Sequence, residues 1–454
     1  MAFVSLNPAT GLKIASHREH SSQQVGEIVA RSHAAFETWR ATSLRDRSRV
    51  LRRVARALRH RRDELANLIT AEMGKPLAQS RAEIEKSALG CDFYAAHSAA
   101  FLAPRRPPHA PANARVAYAP LGPVLAIMPW NFPFWQTLRA AAPALMAGNT
   151  FILKPAPATG GCGLALASLF ADPGILANVF QSLLVAPPVI EKLIADPRIA
   201  AVTLTGSTRA GKTVAALAGA AMKPAAFELG GSDAYLIFED ADLDRAADIC
   251  AQSRLINSGQ SCVAAKRFIV ARRVRREFER RFVEKIQAAR LGSPTDPATT
   301  IGPLARADLR DQLHAQVRRS IARGARVLLD GGPLSDRPGF YYAPMVLTDV
   351  RPGMPAYDEE LFGPVASIVV ARDEADAISI ANSSAYGLGA AVFTRSRARA
   401  QRVAAQLEAG NVAINDFVRS DPSLPFGGVK DSGYGRELGE WGLHAFTNVK
   451  TIVG

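Results

Sequence analysis

Cysteine is scarce in this chain. Four in 454 residues are too few and too scattered for a disulfide framework, and no pair has a CxxC or metal-binding spacing. Apolar runs of membrane-spanning length are also missing. The best stretch, Ala140 to Leu153, is broken by Pro143, Gly148 and Asn149. The opening Met1-Ala2-Phe3-Val4-Ser5-Leu6-Asn7-Pro8 lacks a basic segment followed by an apolar one, so no secretory signal is expected. There is no internal repeat and no low-complexity tract. These absences point to a cytoplasmic, reducing setting with no membrane partner, where a thiol stays free.

Acidic residues are also in deficit: 41 Asp and Glu face 55 Lys and Arg, giving a net charge of +14. Such an excess suits nucleic acid or simply attracts anionic ligands. The arginines are densest from Arg45 to Arg62. There Val50, Leu51, Val54, Leu58, Leu65, Leu68 and Ile69 recur at helical spacing, which puts the arginines on the outer face of one amphipathic helix ending at Gly74 and Pro76. No aromatic residues lie among them to stack on bases, so a nucleic-acid partner is not expected.

What remains is a soluble, globular composition long enough for two or more domains, with 48% hydrophobic and 21% charged residues. The first stretch, to about Ala103, reads as helices. The proline-rich Pro104 to Pro120 reads as an extended hairpin or linker. Strand and helix then alternate. Strands are expected at Val124 to Met128, Thr150 to Leu153, Asn178 to Leu184 and Ala201 to Thr205. Helices are expected at Phe134 to Met146, Gly163 to Phe170 and Arg209 to Ala221. This is the pattern of a doubly wound parallel sheet. A second α/β pattern follows Gly231, with strands at Phe268 to Ala271 and Ser367 to Val370. The tail, Thr447 to Val453, reads as a strand able to join another subunit's sheet.

Three short segments carry chemistry. Asn257-Ser258-Gly259-Gln260-Ser261-Cys262 ends on a thiol, Phe227-Glu228-Leu229-Gly230-Gly231 holds an acid between apolar and glycine residues, and Pro129-Trp130-Asn131-Phe132-Pro133 holds an amide. A nucleophile, a base and an oxyanion donor are the parts that make and break a thioester. A rival motif stands beside them. Gly206-Ser207-Thr208-Arg209-Ala210-Gly211-Lys212-Thr213 fits the P-loop pattern, and Tyr235 to Asp240 resembles a magnesium-binding strand. An ATPase built on them would leave Cys262, Glu228 and Asn131 idle. Any helix N-terminus after a strand binds phosphate, so a dinucleotide pyrophosphate would use the same place.

Seven motifs occur in one order: Pro129 to Pro133, Leu153-Lys154-Pro155-Ala156, Thr205 to Thr208, Glu228 to Gly231, Gly259 to Cys262, Glu360-Leu361-Phe362-Gly363-Pro364 and Pro425-Phe426-Gly427-Gly428. Together they resemble the aldehyde dehydrogenase superfamily from end to end. Val179 to Leu184, Ala264 to Phe268 and Ser420-Asp421-Pro422 look similar to bacterial succinate-semialdehyde dehydrogenases of the shorter type.

The resemblance implies an α/β fold with two doubly wound parallel-sheet domains and a β oligomerisation arm. It divides the chain into a cofactor-binding domain (1–103 and 123–228), a catalytic domain (229–418) and bridging segments (104–122 and 419–454). It implies NAD- or NADP-dependent oxidation of an aldehyde to an acid, with succinate semialdehyde as substrate or another aldehyde by the same chemistry, in a homodimer or homotetramer. Cys262 would attack the aldehyde. Asn131 and the Cys262 backbone N–H would hold the oxyanion, and Glu228 would activate water. The cofactor would meet Trp130, Lys154, Gly206, Ser207, Leu229, Glu360 and Phe362. Substrate contacts would come from Arg139, Ser261, Arg419 and Ser420, with a structural ion pair as the alternative role for Arg139.

Three departures from the pattern stand out. Ala140 replaces a lysine, Ile256 replaces a second substrate-side arginine, and Pro157 occupies the position that reads the cofactor's 2′ group. Proline there neither repels a 2′-phosphate nor binds ribose hydroxyls, which leaves NAD and NADP both open.

Overall fold

The computed structural model describes residues 2–454, and two sheets organise them. The first has five parallel strands in the order Phe180–Ser182, Phe151–Lys154, Val124–Ile127, Ala201–Thr205, Ala225–Glu228. The first four burial patterns are nearly continuous because helices cover both faces, as parallel sheets require. The helix Trp135–Ala147 covers one face and is buried along its whole length. It ends at Gly148, whose φ of +99° is a left-handed C-cap.

The second sheet has seven strands, ordered Arg326–Leu329, Met345–Thr348, Val365–Ala371, Arg267–Ala271, Ala234–Ile237, Gly389–Phe393, Asn411–Ile414. All pairs are parallel except the first, so the sheet carries one antiparallel edge strand. A third unit is a two-stranded ribbon, in which Ala114–Pro120 pairs antiparallel with Thr447–Val453. The tail strand thus pairs within its own chain.

Several sequence expectations shift. The N-terminal stretch is not all helix: Ala2–Leu6 and Lys13–Arg18 form an antiparallel hairpin ahead of four helices. Strands so short leave little periodicity to read. The arginine-rich helix is two, Leu44–His60 and Arg62–Met73, broken at Arg61. Its arginines are not all on the outer face. Arg47 is buried and donates to the carbonyls of Met146 (3.0 Å) and Arg40 (2.8 Å), closing the end of the Trp135–Ala147 helix. The strand expected at Asn178 to Leu184 shrinks to Phe180–Ser182, since Asn178 takes a φ of +67° that no strand accepts. No described helix is long and apolar enough to cross a membrane, and no metal-ligating cluster occurs among the described residues.

Candidate active site

Cys262 follows a short, strained loop. Asn257, Ser258 and Gly259 take φ values of +52°, +55° and +76° in succession. Non-glycine residues in this region cost on the order of 1–3 kcal/mol each, so surrounding contacts must hold them there. They do. The Ser258 hydroxyl donates to Gly302 O (3.0 Å), Gln260 Oε1 accepts from the Ala305 N–H (2.8 Å), and the Asn257 N–H donates to Gln79 Oε1 (2.8 Å). A Cβ on Gly259 would lie 2.3 Å from the Gly363 backbone, and one on Gly231 would lie 2.7 Å from Cys262 O. Glycine is therefore required on both sides of the thiol's loop.

A buried ammonium holds the loop from below. Lys266 Nζ donates to the carbonyls of Ser261 (3.0 Å), Cys262 (2.8 Å) and Ala264 (3.2 Å), and ion-pairs with Glu360 (3.3 Å). The Gly231 N–H donates to the same Glu360 oxygen at 3.0 Å. The second Glu360 oxygen lies toward Gly230, which lines the same cleft as Trp130 and Phe362.

The amide of Asn131 is 4% exposed. Its Nδ2 donates to Gln260 O at 3.1 Å, and Asn257 Nδ2 donates to Asn131 O at 2.9 Å. One Asn131 N–H is thus spent on fixing the amide against the cysteine's loop, and the other remains for a ligand.

Two cavities meet at Cys262. The larger, about 420 Å³, is lined by Trp130, Asn131, the segment Gly206 to Arg209, Leu229, Glu360 and Phe362, and by Cys262 itself. Trp130 and Phe362 meet edge to face at 5.8 Å across it. The helix Thr208–Ala220 points its N-terminus into this cleft, and Ser207 caps it by accepting from the Ala210 N–H at 3.3 Å. Free N–H groups and a helix dipole there suit an anion such as a pyrophosphate. The smaller cavity, about 210 Å³, is lined by Phe132, Trp135, Arg139, Ser261, Arg419 and Ser420 among others, and also reaches Cys262 and Gln136. A nucleophile at the junction faces the larger cleft, with its helix N-terminus, on one side and a smaller, mostly apolar chamber on the other.

The electrostatics favour a resting thiol and a resting carboxylic acid. Burial pushes the Cys262 thiol up to about 12, although the positive charges of Arg139 and Lys266 pull the other way. Burial also holds the Glu228 carboxyl well above its ordinary range; Arg139 opposes this and Glu437 reinforces it. Glu228 Oε2 has no hydrogen-bond partner. Its Oε1 lies against Gly427, where a Cβ would come within 2.7 Å, and Glu228 lines neither cavity. The carboxyl must swing from this place to reach a group on Cys262.

Not every expected residue converges. Lys154 ends its strand at 6% exposure and does not line the larger cavity. Arg139 is buried in an ion pair with Glu437, itself 2% exposed, and its Nη2 lies 3.3 Å from Thr205 Oγ1. That is the structural alternative foreseen for it. Arg419 is paired with Asp416 at the surface. Ser420 Oγ accepts from both Trp135 Nε1 (3.0 Å) and Lys86 Nζ (2.9 Å).

The ATPase reading fails on geometry. The helix starts at Thr208, before Gly211 and Lys212, so these residues form no phosphate-cradling loop. Lys212 instead pairs with Asp431 at 2.8 Å on the surface. Tyr235 belongs to the other sheet.

Sequence reasoning quoted Asn257 and Gln260 within the cysteine's loop but gave no separate role to them or to Lys266, although all lie within six residues of Cys262. It also passed over Lys86 and Glu437, which no local pattern marks.

Comparison with known proteins agrees with this geometry. The family model described as "Aldehyde dehydrogenase family" matches residues 1–452. A succinate semialdehyde dehydrogenase [NAD(P)+], Sad, of Escherichia coli K12 is 45% identical over 99% of this chain and 97% of its own length. Succinate-semialdehyde dehydrogenase [NADP(+)] 1 of Mycobacterium tuberculosis H37Rv is 44% identical over 100% and 99%. Among solved structures, Gox0499 superposes with a TM-score of 0.98 at 41% identity, covering 100% of both chains. The succinic semialdehyde dehydrogenase of Streptococcus pyogenes, solved with NADP+, gives a TM-score of 0.96 at 34% identity, covering 99% of both. With its thiol at the meeting of two cavities and a family match along nearly its whole length, the chain belongs to the aldehyde dehydrogenase family.

Proposed function

We propose that this protein oxidises succinate semialdehyde to succinate with NAD⁺ or NADP⁺. The observation that carries the reading is the placement of Cys262 where the two cavities join. The relatives named for this substrate support its identity. The unit built on the five-stranded sheet would bind the cofactor and the seven-stranded unit would carry the thiol. The two-stranded ribbon, with Val449 and Val453 exposed, would join subunits into a homo-oligomer.

The residues around the larger cleft fit a nicotinamide dinucleotide. The Gly206–Ser207 turn and the helix end behind it would hold the pyrophosphate, Glu360 a ribose, and Trp130 and Phe362 the flanks of the ring end. When bound, the nicotinamide supplies the hydride acceptor. Every other step falls to the chain itself. The Cys262 sulfur gives its proton to solvent water and bonds to the aldehyde carbon, turning the carbonyl oxygen into an oxyanion. The free Asn131 N–H and the Cys262 backbone N–H donate to that oxygen. They act where charge develops, which is where fixed donors lower a barrier most. Loss of hydride from the same carbon leaves a thioester on Cys262. Glu228, rotated from Gly427 and with its own proton released to solvent, takes a proton from water as the water oxygen bonds to the acyl carbon. The carbon–sulfur bond then breaks, releasing the acid and returning the thiolate.

The test is absorbance of reduced nicotinamide across an aldehyde panel, in wild type and Cys262→Ala. Turnover that is strongest with succinate semialdehyde and lost in the variant is expected. Ester cleavage needing Cys262 but no nicotinamide would point instead to a thiol esterase. Turnover surviving in Cys262→Ala would overturn the mechanism.

A further inference from the structure

We infer that Lys86, beside the Ser420 that the family resemblance already places among the substrate contacts, binds the carboxylate at the far end of the substrate. The inference rests on the proposed substrate and adds the group that recognises it.

Lys86 sits on the long helix Leu77–Phe101. Gln79, Ala82, Glu83 and Lys86 recur there at three- and four-residue spacing, so they share one face, and all four line the smaller cavity with Cys262. The spacing aims the ammonium into the chamber that ends at the nucleophile.

An accounting of charge around this chamber singles Lys86 out. Arg139 is committed to Glu437, and Arg419 to Asp416. Lys75, on the loop before the helix, is committed to Glu83. Among the described residues Lys86 makes no ion pair; its recorded hydrogen bond goes to Ser420 Oγ at 2.9 Å. The nearby acids are engaged elsewhere. Glu83 takes Lys75 and the backbone N–H groups of Phe134 (2.9 Å) and Trp135 (3.2 Å). Asp421 takes the N–H (2.8 Å) and hydroxyl (2.6 Å) of Ser423. An ammonium in an apolar chamber without a counter-ion is costly to keep, and a bound carboxylate would remove that cost.

Ser420 completes the site. Its oxygen accepts from Lys86 and from Trp135 Nε1, which occupies both lone pairs. Its own hydrogen is then left to donate to a ligand. Trp135 also lies under the ammonium, 4.6 Å from Nζ to the ring centre, fixing its direction. Two donors, one charged, converge at the chamber wall from elements 334 residues apart in the chain.

The ammonium's state depends on pH. Burial, helped by the charge of Arg139, lowers the Lys86 pKa to about 8. Asp421 and Glu83 oppose this, and Arg419 adds to the lowering. A bound carboxylate would favour the charged form and raise the value.

The experiment compares succinate semialdehyde with butanal in the full-length enzyme with cofactor, for wild type, Lys86→Met and Lys86→Arg. In Lys86→Met the ratio of kcat/KM for the semialdehyde over butanal should fall about ten-fold or more, mostly through KM, as loss of a charge-assisted contact implies. Lys86→Arg should recover part of it. An unchanged ratio would overturn the assignment, whether both substrates suffer equally or neither does. Should Lys86→Met not fold, wild type still decides: the KM for the semialdehyde should climb as the pH passes above about 8, while that for butanal should not follow. Parallel pH profiles would overturn it too. A wild-type preference for butanal would instead refute the substrate reading on which the anchor rests.

Discussion

Truncating Asn131 to alanine separates catalysis from architecture, because the structure gives its amide two distinct tasks. One N–H donates to Gln260 O at 3.1 Å, and the other is free to meet an oxyanion. Removing the first leaves Gln260 O with a second donor, Asn257 Nδ2, also at 3.1 Å. The contact from Asn257 to Asn131 uses the backbone carbonyl and survives the substitution. No buried carbonyl is orphaned, so the stability cost should stay near about 1 kcal/mol, the net worth of an ordinary hydrogen bond. In a chain of this size that moves Tm by roughly 2 °C or less. Losing an oxyanion donor should cost far more, about 10²- to 10³-fold in kcat, or roughly 3–4 kcal/mol of barrier. The assay is initial-rate kinetics by reduced-nicotinamide absorbance, with Tm and the alkylation rate of Cys262 by iodoacetamide measured on the same samples. Intact alkylation and Tm beside a large fall in kcat is the expected pattern. A loss in kcat below about five-fold, with Tm unchanged, would remove Asn131 from the oxyanion site. Alkylation falling in step with kcat would mean that the amide positions the loop rather than stabilising charge.

Glu228→Gln should leave acylation intact and slow hydrolysis, so a stopped-flow trace should show a burst of reduced cofactor before a slow steady rate. Equal, burst-free loss would place Glu228 elsewhere in the cycle. Pro157 opens a single 3-10 turn, Pro157–Thr159, at the surface, where a glutamate is sterically tolerable. Pro157→Glu should shift the ratio of kcat/KM toward NAD⁺ over NADP⁺ by adding charge against a 2′-phosphate. An unmoved ratio would mean that another segment reads the ribose.

Much of this protein was legible in its sequence. The alternation of strand and helix from Val124 onward follows from local propensity and burial on both faces, and the Ala201–Thr205 and Thr447–Val453 strands fall at the bounds that the pattern set. The cysteine loop was readable because its glycine, amides and thiol are adjacent, and adjacency is what a sequence displays. Charge partnership was not readable. The family resemblance put Arg139 among the substrate contacts, but Glu437 lies 298 positions later and takes its charge in the fold. Lys86 carried no motif, and only the packing of its helix against the Ser420 loop makes it the ammonium without a counter-ion. The P-loop pattern failed for a related reason: residue types were right, but the helix began before Gly211 and left no loop. Sequence therefore determined which chemical groups are present and which backbone segments carry them. Tertiary structure decided which charges are neutralised and which remain for a ligand, since Coulombic pairing depends on distance in space and not along the chain.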